Sequence, residues 1–136
     1  MQDFRNLKVW QTAHELALHV YTLSRNFPKS EQFNLTSQIR RSATSIPANL
    51  AEGCGRSSDA DFSRFIYIAF GSACEFKYHI LLAKDLGYIN EHDHNIVREK
   101  LLSIKRMLSA LLIKLKPGRR PNIKADSREL TADSPS

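Results

Sequence analysis

Apolar residues recur every three or four positions in residues 97–115, and this spacing constrains the fold more than any other feature. Val97, Leu101, Ile104, Leu108, Leu111 and Leu115 follow one another at steps of 4, 3, 4, 3 and 4. The spacing places these six side chains on one face of an α-helix, as in the seams along which bundled helices pack. A face of this kind needs other helices to cover it.

Three earlier segments carry the same periodicity, so the sequence predicts four helices. The predicted helices span residues 7–27, 35–54, 59–86 and 91–116, with Asn6, Asn34, Ser58 and Asn90 before them as N-caps. Pro28 and Pro117 end the first and fourth helices. Gly53 and Gly55 are predicted to terminate the second helix, and Gly87 the third.

The predicted fold is an all-α, antiparallel four-helix bundle of up-down-up-down topology, formed by residues 1–116. Hydrophobic residues make up 42% of the 136 residues, enough for one core. Residues 117–136 are polar and lack periodicity, and they are predicted to form a disordered tail. The third helix is apolar around more of its circumference than one core needs, because Tyr67, Phe70, Cys74 and Leu81 lie away from its main stripe. Such a helix is either central or shares its second face with another subunit.

A polar seam interrupts the apolar pattern of the second helix. Gln38, Ser42, Ser45, Asn49 and Glu52 follow at steps of 4, 3, 4 and 3, about 100° from the apolar face. Three interpretations stay open: a polar network between helices or subunits, a stripe facing a ligand or nucleic acid, or a solvated face. Pro47 within this helix is expected to bend it or to open its hydrogen bonding.

The formal net charge of +6 favours an anionic partner such as RNA or DNA. The basic residues that are candidates for phosphate contacts are Arg40, Arg41, Arg56, Arg64, Lys77, Lys105 and Arg106. For each of them alone, a solvated helix face is the competing interpretation. No RNA-binding motif or zinc-finger spacing accompanies these residues, so binding is expected to depend on charge and shape.

The sequence gives little support for an enzyme. It has no glycine-rich phosphate loop, nucleophile elbow or paired catalytic carboxylates, and Cys54 and Cys74 form no ligand cluster. His92 and His94 are predicted to lie in a solvated turn, and His79 to be packed. We therefore expect no metal and no cofactor. The absence of a signal-peptide pattern and of a long apolar run predicts a cytoplasmic protein without membrane contact.

The second helix carries a distinctive motif, Gln38-Ile39-Arg40-Arg41 followed by Ser45-Ile46-Pro47-Ala48-Asn49 and Ala51-Glu52-Gly53. With the flanking segments FRNLKVWQTAHELA and FSRFIYIAFGSACEFKYHILLAKDLGYI, it resembles the four-helix-bundle proteins named for 23S rRNA intervening sequences, also called S23 proteins. The resemblance covers about residues 3–116. It implies a left-handed bundle that assembles into a ring, a homopentamer. The family is also similar to the accessory protein of diversity-generating retroelements, a basic pentameric barrel that binds a reverse transcriptase and nucleic acid.

The function predicted from charge and resemblance together is that of a non-enzymatic, basic homo-oligomer that associates with RNA or DNA and is related to rRNA. One alternative is a protein adaptor, a scaffold ring for a partner enzyme such as a polymerase, with Trp10, Tyr21, Tyr67 and Phe70 as possible anchors. Another is a purely structural protein. Salt separates binding to nucleic acid from an apolar protein interface, because only the former weakens steeply with salt.

Overall fold

Four α-helices form residues 3–117, the part of the chain that the computed structural model describes, and this part contains no β-strand. The helices are α1 (Lys8–Ser24), α2 (Leu35–Cys54), α3 (Asp59–Asp85) and α4 (Glu91–Lys114). Short 3₁₀ turns at Phe4–Asn6 and Lys29–Glu31 precede α1 and α2. The prediction of an all-α chain with four helices is confirmed, while the predicted disordered tail lies almost entirely outside the described residues.

Three of the predicted helix ends form through local side-chain and backbone chemistry. The Ser58 hydroxyl accepts a hydrogen bond from the Asp61 N–H at 3.1 Å, and the Asn90 side-chain oxygen accepts one from the Asp93 N–H at 2.7 Å. After α3, Gly87 adopts a φ of +83°, and the Tyr88 N–H bonds back to the Ala83 carbonyl at 2.9 Å. This is the Schellman arrangement that favours glycine.

Two predictions for α1 are wrong, namely its N-cap residue and its last residue. Asn6 does not cap α1, because Asp3 accepts the Arg5 N–H at 3.0 Å and nucleates a separate 3₁₀ turn that includes Asn6. Leu7 then occupies the N-cap position without a side-chain hydrogen bond. At the other end α1 stops at Ser24, and a turn places Phe27 in the core.

At the start of α2, Asn34 does hold the predicted N-cap position, but its side chain makes no capping bond. The Glu31 carboxylate accepts the Leu35 N–H at 3.4 Å instead. The negative charge of Glu31 therefore lies at the helix end where the macrodipole favours an anion.

The helices contact one another in a closed cycle around one core. α2 packs on α1 and most extensively on α3, while α4 packs on α3 and α1. Each helix contributes a fully buried large side chain, as Leu16, Ile46, Phe76 and Leu108 show. Burial of each such side chain contributes about 1.5–3 kcal/mol to folding. The heptad seam of the fourth helix supplies Val97, Leu101, Ile104 and Leu108 to this core.

Gly53 serves the packing of α2 on α3 and does not terminate the helix, which corrects the prediction for this residue. A Cβ atom at position 53 would lie 2.8 Å from Phe62 Cδ1 and 3.0 Å from Phe65 Cβ. The two helices can approach this closely only because residue 53 has no side chain. Gly55 follows as the C-cap of α2, with an ordinary helical φ of −83°.

Candidate functional site

The middle of the polar seam on α2 forms hydrogen bonds inside the chain, and one of them reaches α3. The Ser45 and Ser72 hydroxyl oxygens lie 2.8 Å apart, and the Asn49 amide donates to the Ser45 carbonyl at 2.8 Å and to its hydroxyl at 3.0 Å. Ser42 is fully buried and donates to the Gln38 carbonyl at 2.9 Å. The contact between Ser45 and Ser72 is of the kind that the first of the three interpretations describes, a polar network between helices, whereas the other bonds stay within α2.

The two ends of the seam stay at the surface. Gln38 is exposed, and Glu52 is exposed and forms an ion pair with Arg56 at 2.8 Å, one helical turn away. α2 continues unbroken through Pro47, and Asn49 donates to Ser45 rather than to Ala43, whose helical donor the proline removes. The local opening expected at Pro47 therefore does not interrupt the helix.

Arg40, a candidate phosphate contact, holds the start of α2 to the end of α1. Its Nε donates to the Ser24 hydroxyl at 2.8 Å and its Nη2 to the Tyr21 carbonyl at 3.4 Å. The guanidinium carbon also lies 4.6 Å from the centre of the Tyr21 ring. A cation placed at the C-terminal carbonyls of a helix is stabilised there. These contacts give Arg40 a structural role in joining α2 to α1.

Three other candidate arginines are paired with carboxylates. Arg41 forms an ion pair with Glu75 of α3, and Arg56 pairs with Glu52. Arg64 pairs with Asp61 at 3.3 Å, and both Arg56 and Arg64 lie over the Phe65 ring, at 4.7 and 4.6 Å from its centre. Each arginine in these pairs remains partly exposed, but its charge is already matched by an acid.

The remaining candidates belong to α3 and α4. Lys77 is exposed and forms no ion pair with another residue of the described range, whereas Lys105 is only 6% exposed. The Lys105 ammonium lies 5.7 Å from the centre of the Phe70 ring, and no carboxylate in residues 3–117 pairs with it. Arg106 is exposed on α4.

Arg98 was missed as a candidate, although its position gives a signal in the sequence. It lies seven residues before Lys105, so the two cations share a face of α4.

Two of the histidines, His79 and His94, are buried. His94 is buried, so the predicted solvated turn at His92 and His94 is wrong for this residue, although His92 is exposed. Burial lowers the pKa of His94, and the nearby cations Lys84 and Arg98 lower it further. His79 is packed as predicted, and its Nδ1 atom is buried without a hydrogen-bond partner in the described part of the chain.

A cleft of about 250 Å³ lies between the start of α2 and the end of α3. Glu31 lines it, but both oxygens of this carboxylate are engaged: one accepts the Leu35 N–H and the other accepts the Tyr88 hydroxyl at 2.9 Å. The hydrogen bond raises the pKa of Tyr88. The other lining residues are Asn34, Leu35, Gln38, Tyr78, His79, Leu82 and Leu86.

The two cysteines differ in their exposure to solvent. Cys54 is buried, which raises the pKa of its thiol, and Cys74 is exposed on α3. Within residues 3–117 no three histidine, cysteine or acidic side chains are grouped so that they could hold a metal ion. No helix in this range is long and apolar enough to cross a bilayer.

A family model described as 23S rRNA-intervening sequence protein matches residues 5–110. A crystal structure from Bacteroides thetaiotaomicron VPI-5482, of a protein with unknown function from the S23 ribosomal protein family, is 28% identical with a TM-score of 0.71. That match covers 76% of this chain and 97% of the other. No curated protein shows a significant match.

Proposed function

Because the chain belongs to the family of 23S rRNA-intervening sequence proteins, we propose that it is a non-enzymatic, self-associating helical protein that binds RNA or DNA through its positive charge. The proposal places it in the cytoplasm, without a cofactor. The family description refers to sequences within 23S rRNA, which makes structured RNA the natural first ligand to test.

The observation that carries this proposal is a surplus of cations that no acid neutralises. Within residues 3–117, the exposed basic side chains that form neither an ion pair nor a hydrogen bond are Lys8, Arg25, Lys29, Lys77, Arg98 and Lys116. Together with the net charge of +6, they create a positive field that attracts a polyanion and releases its counterions on binding.

We propose further that the helices form an antiparallel, up-down-up-down bundle and that several copies assemble into a ring. The contacts of α2 with α3 support the direction, since Arg41 pairs with Glu75, Ser45 with Ser72, and Gly53 approaches Phe62. Rising numbers in one helix thus meet falling numbers in the other. The homopentamer that the family resemblance implies would multiply the charge of one subunit fivefold.

Anisotropy of a fluorescein-labelled RNA hairpin, titrated with the full chain across a salt series, tests this function. We expect tight binding at low salt and a linear fall of log affinity with log salt concentration. Light scattering on the same samples checks that the protein stays assembled. Absence of binding at low salt, from assembled protein, would contradict the proposal.

A protein adaptor is the second candidate function, and the exposed aromatic residues of α3 favour it. Tyr67 is 64% exposed and Tyr78 is 60% exposed, and large aromatic side chains are frequent anchors at protein interfaces. A partner enzyme such as a polymerase would then occupy this face of α3 in place of a second copy of the chain. Such an interface would keep its affinity as salt rises, in contrast to nucleic-acid binding.

A further inference from the structure

α3 and α4 each carry a row of side chains at seven-residue intervals along the groove between them. The row on α3 is Phe70, Lys77 and Lys84, and the row on α4 is Lys105, Arg98 and Glu91. Seven residues are close to two helical turns, so side chains at this spacing form a row on one face. The two rows end in observed contacts. At one end Lys105 lies over Phe70, at 5.7 Å, and at the other Lys84 pairs with Glu91 at 3.4 Å.

The middle level of the groove places two cations opposite each other. Lys77 lies seven residues from both Phe70 and Lys84, and Arg98 lies seven residues from both Glu91 and Lys105. The contacts at the two ends of the rows therefore place Lys77 and Arg98 at the same level along the helix axes. Both are exposed, and neither has a carboxylate partner within residues 3–117. Like charges in this position repel each other and destabilise the fold slightly.

Positive charge continues along the groove on either side of this pair. Lys105 is buried, and the Phe70 ring is the one partner that residues 3–117 give its ammonium group, while Glu91 is already engaged with Lys84. His94 lies close to these cations: burial lowers its pKa most, and Lys84 and Arg98 lower it further, against smaller opposite effects of Glu91 and Asp85. The candidates Arg41, Arg56 and Arg64, by contrast, are paired with acids, and Arg40 is bonded to Ser24 and Tyr21.

We infer that the groove defined by Lys77, Arg98 and Lys105 is a phosphate-binding site that takes the backbone phosphates of nucleic acid. An anion between Lys77 and Arg98 would turn their repulsion into attraction. The guanidinium of Arg98 can donate two parallel hydrogen bonds to phosphate oxygens, and each lysine adds a compact charge. The identity of the polyanion rests on the proposed function, whereas the affinity for phosphate follows from the groove alone.

The test compares two double variants of the full chain that lose the same charge. The groove variant, Lys77→Gln/Arg98→Gln, removes both cations from the middle of the groove. The control variant, Lys8→Gln/Lys116→Gln, removes two cations that are unpaired within residues 3–117, at the start of α1 and beyond the end of α4. With the labelled RNA hairpin, we expect the groove variant to lose about tenfold or more in affinity and to reduce the salt slope by about 2. The control variant should lose less than about threefold.

A second measurement is independent of RNA. Thermal unfolding is followed in inorganic phosphate and in chloride at equal ionic strength, because a ligand that binds only the folded state raises Tm. The wild type and the control should be more stable in phosphate than in chloride. Phosphate stabilises folded proteins in general, so the groove variant should keep only that common part of the difference, which is smaller than in the wild type and the control. Its Tm in chloride should equal or exceed that of the wild type, since the repulsion is gone.

The two measurements separate the site from the proposed function. A phosphate response that is smaller only in the groove variant, without RNA binding by the wild type, supports the site and contradicts nucleic-acid binding. If both double variants behave alike with both probes, or if the wild type responds to neither, the site is overturned. RNA binding by the wild type that the groove variant retains in full would leave the proposed function standing without this groove.

Discussion

At the scale of single residues, the close approach of α2 to α3 depends on Gly53. Gly53→Ala should destabilise the protein by about 1–3 kcal/mol, because the new methyl group would lie 3.0 Å or less from Phe62 and Phe65. The Cβ of Phe65 cannot rotate away, so the helices must separate. This loss outweighs the gain that alanine normally brings within a helix.

Gly55→Ala is the matched control, and urea unfolding of both variants makes the comparison. The Cβ at position 55 would meet only the Glu52 carbonyl, at 3.5 Å, which is an ordinary contact. We expect stability to stay the same or rise by about 0.5 kcal/mol. Equal losses in the two variants would contradict the role assigned to Gly53.

Two adjacent arginines on α2 should also differ, because only one is fixed by several contacts. Arg40→Gln should cost about 1–2 kcal/mol, since it removes the hydrogen bonds to Ser24 and Tyr21 and the contact with the Tyr21 ring. Arg41→Gln should cost about 0.5 kcal/mol or less, because its ion pair with Glu75 is exposed to water. Urea unfolding measures both, and a larger loss for Arg41 would overturn this assignment.

At the scale of helices, the sequence predicted most of what local chemistry determines. The bounds of α2, the caps Ser58 and Asn90, and the stop at Gly87 all follow from residues within a few positions of each end. The ends of α1 were missed because Asp3 and Phe27 act through a competing turn and through the core. The partner of the polar seam was also beyond prediction, since Ser72 lies 27 residues from Ser45.

The first turn of α4 should make stability depend on pH through His94. The folded-state pKa of His94 is lowered, by burial first and then by Lys84 and Arg98, against the smaller opposite effects of Glu91 and Asp85. The imidazole of His94 therefore binds a proton more readily in the unfolded chain than in the folded one. The contribution of neutral His94 to stability is fully present above about pH 6.5 and is lost as pH falls through the lowered pKa.

Urea unfolding at pH 7.5 and at pH 5.5 tests this dependence, with both values chosen to bracket a histidine pKa of about 6.5. The wild type should be less stable at the lower pH. His94→Gln should reduce that difference, whereas His92→Gln, at an exposed site in the same turn, should keep it. An unchanged pH dependence in the His94 variant would show that other groups cause it.

At the scale of the whole molecule, α3 presents a face that one copy of the chain leaves open. Tyr67 and Tyr78 are eleven residues apart and so lie on one stripe, with Gly71 and Cys74 exposed between them. This stripe carries no charge along its centre and continues to the partly exposed Leu81. From its excess of apolar positions, this helix was expected either to be central or to share its second face with another subunit, and that face is uncovered within residues 3–117.

Tyr67→Glu/Tyr78→Glu should therefore reduce a multi-subunit particle to monomers, because assembly would bury four or more carboxylates against apolar surface. Multi-angle light scattering measures the mass, and Phe33→Glu, at an 86% exposed position before α2, is the control that should leave it unchanged. The monomeric variant should also bind the RNA hairpin more weakly and with a smaller salt slope, since fewer cations act on one ligand. Wild-type protein that is monomeric at micromolar concentration would contradict the assembly, and a double variant that keeps its mass would place the interface elsewhere.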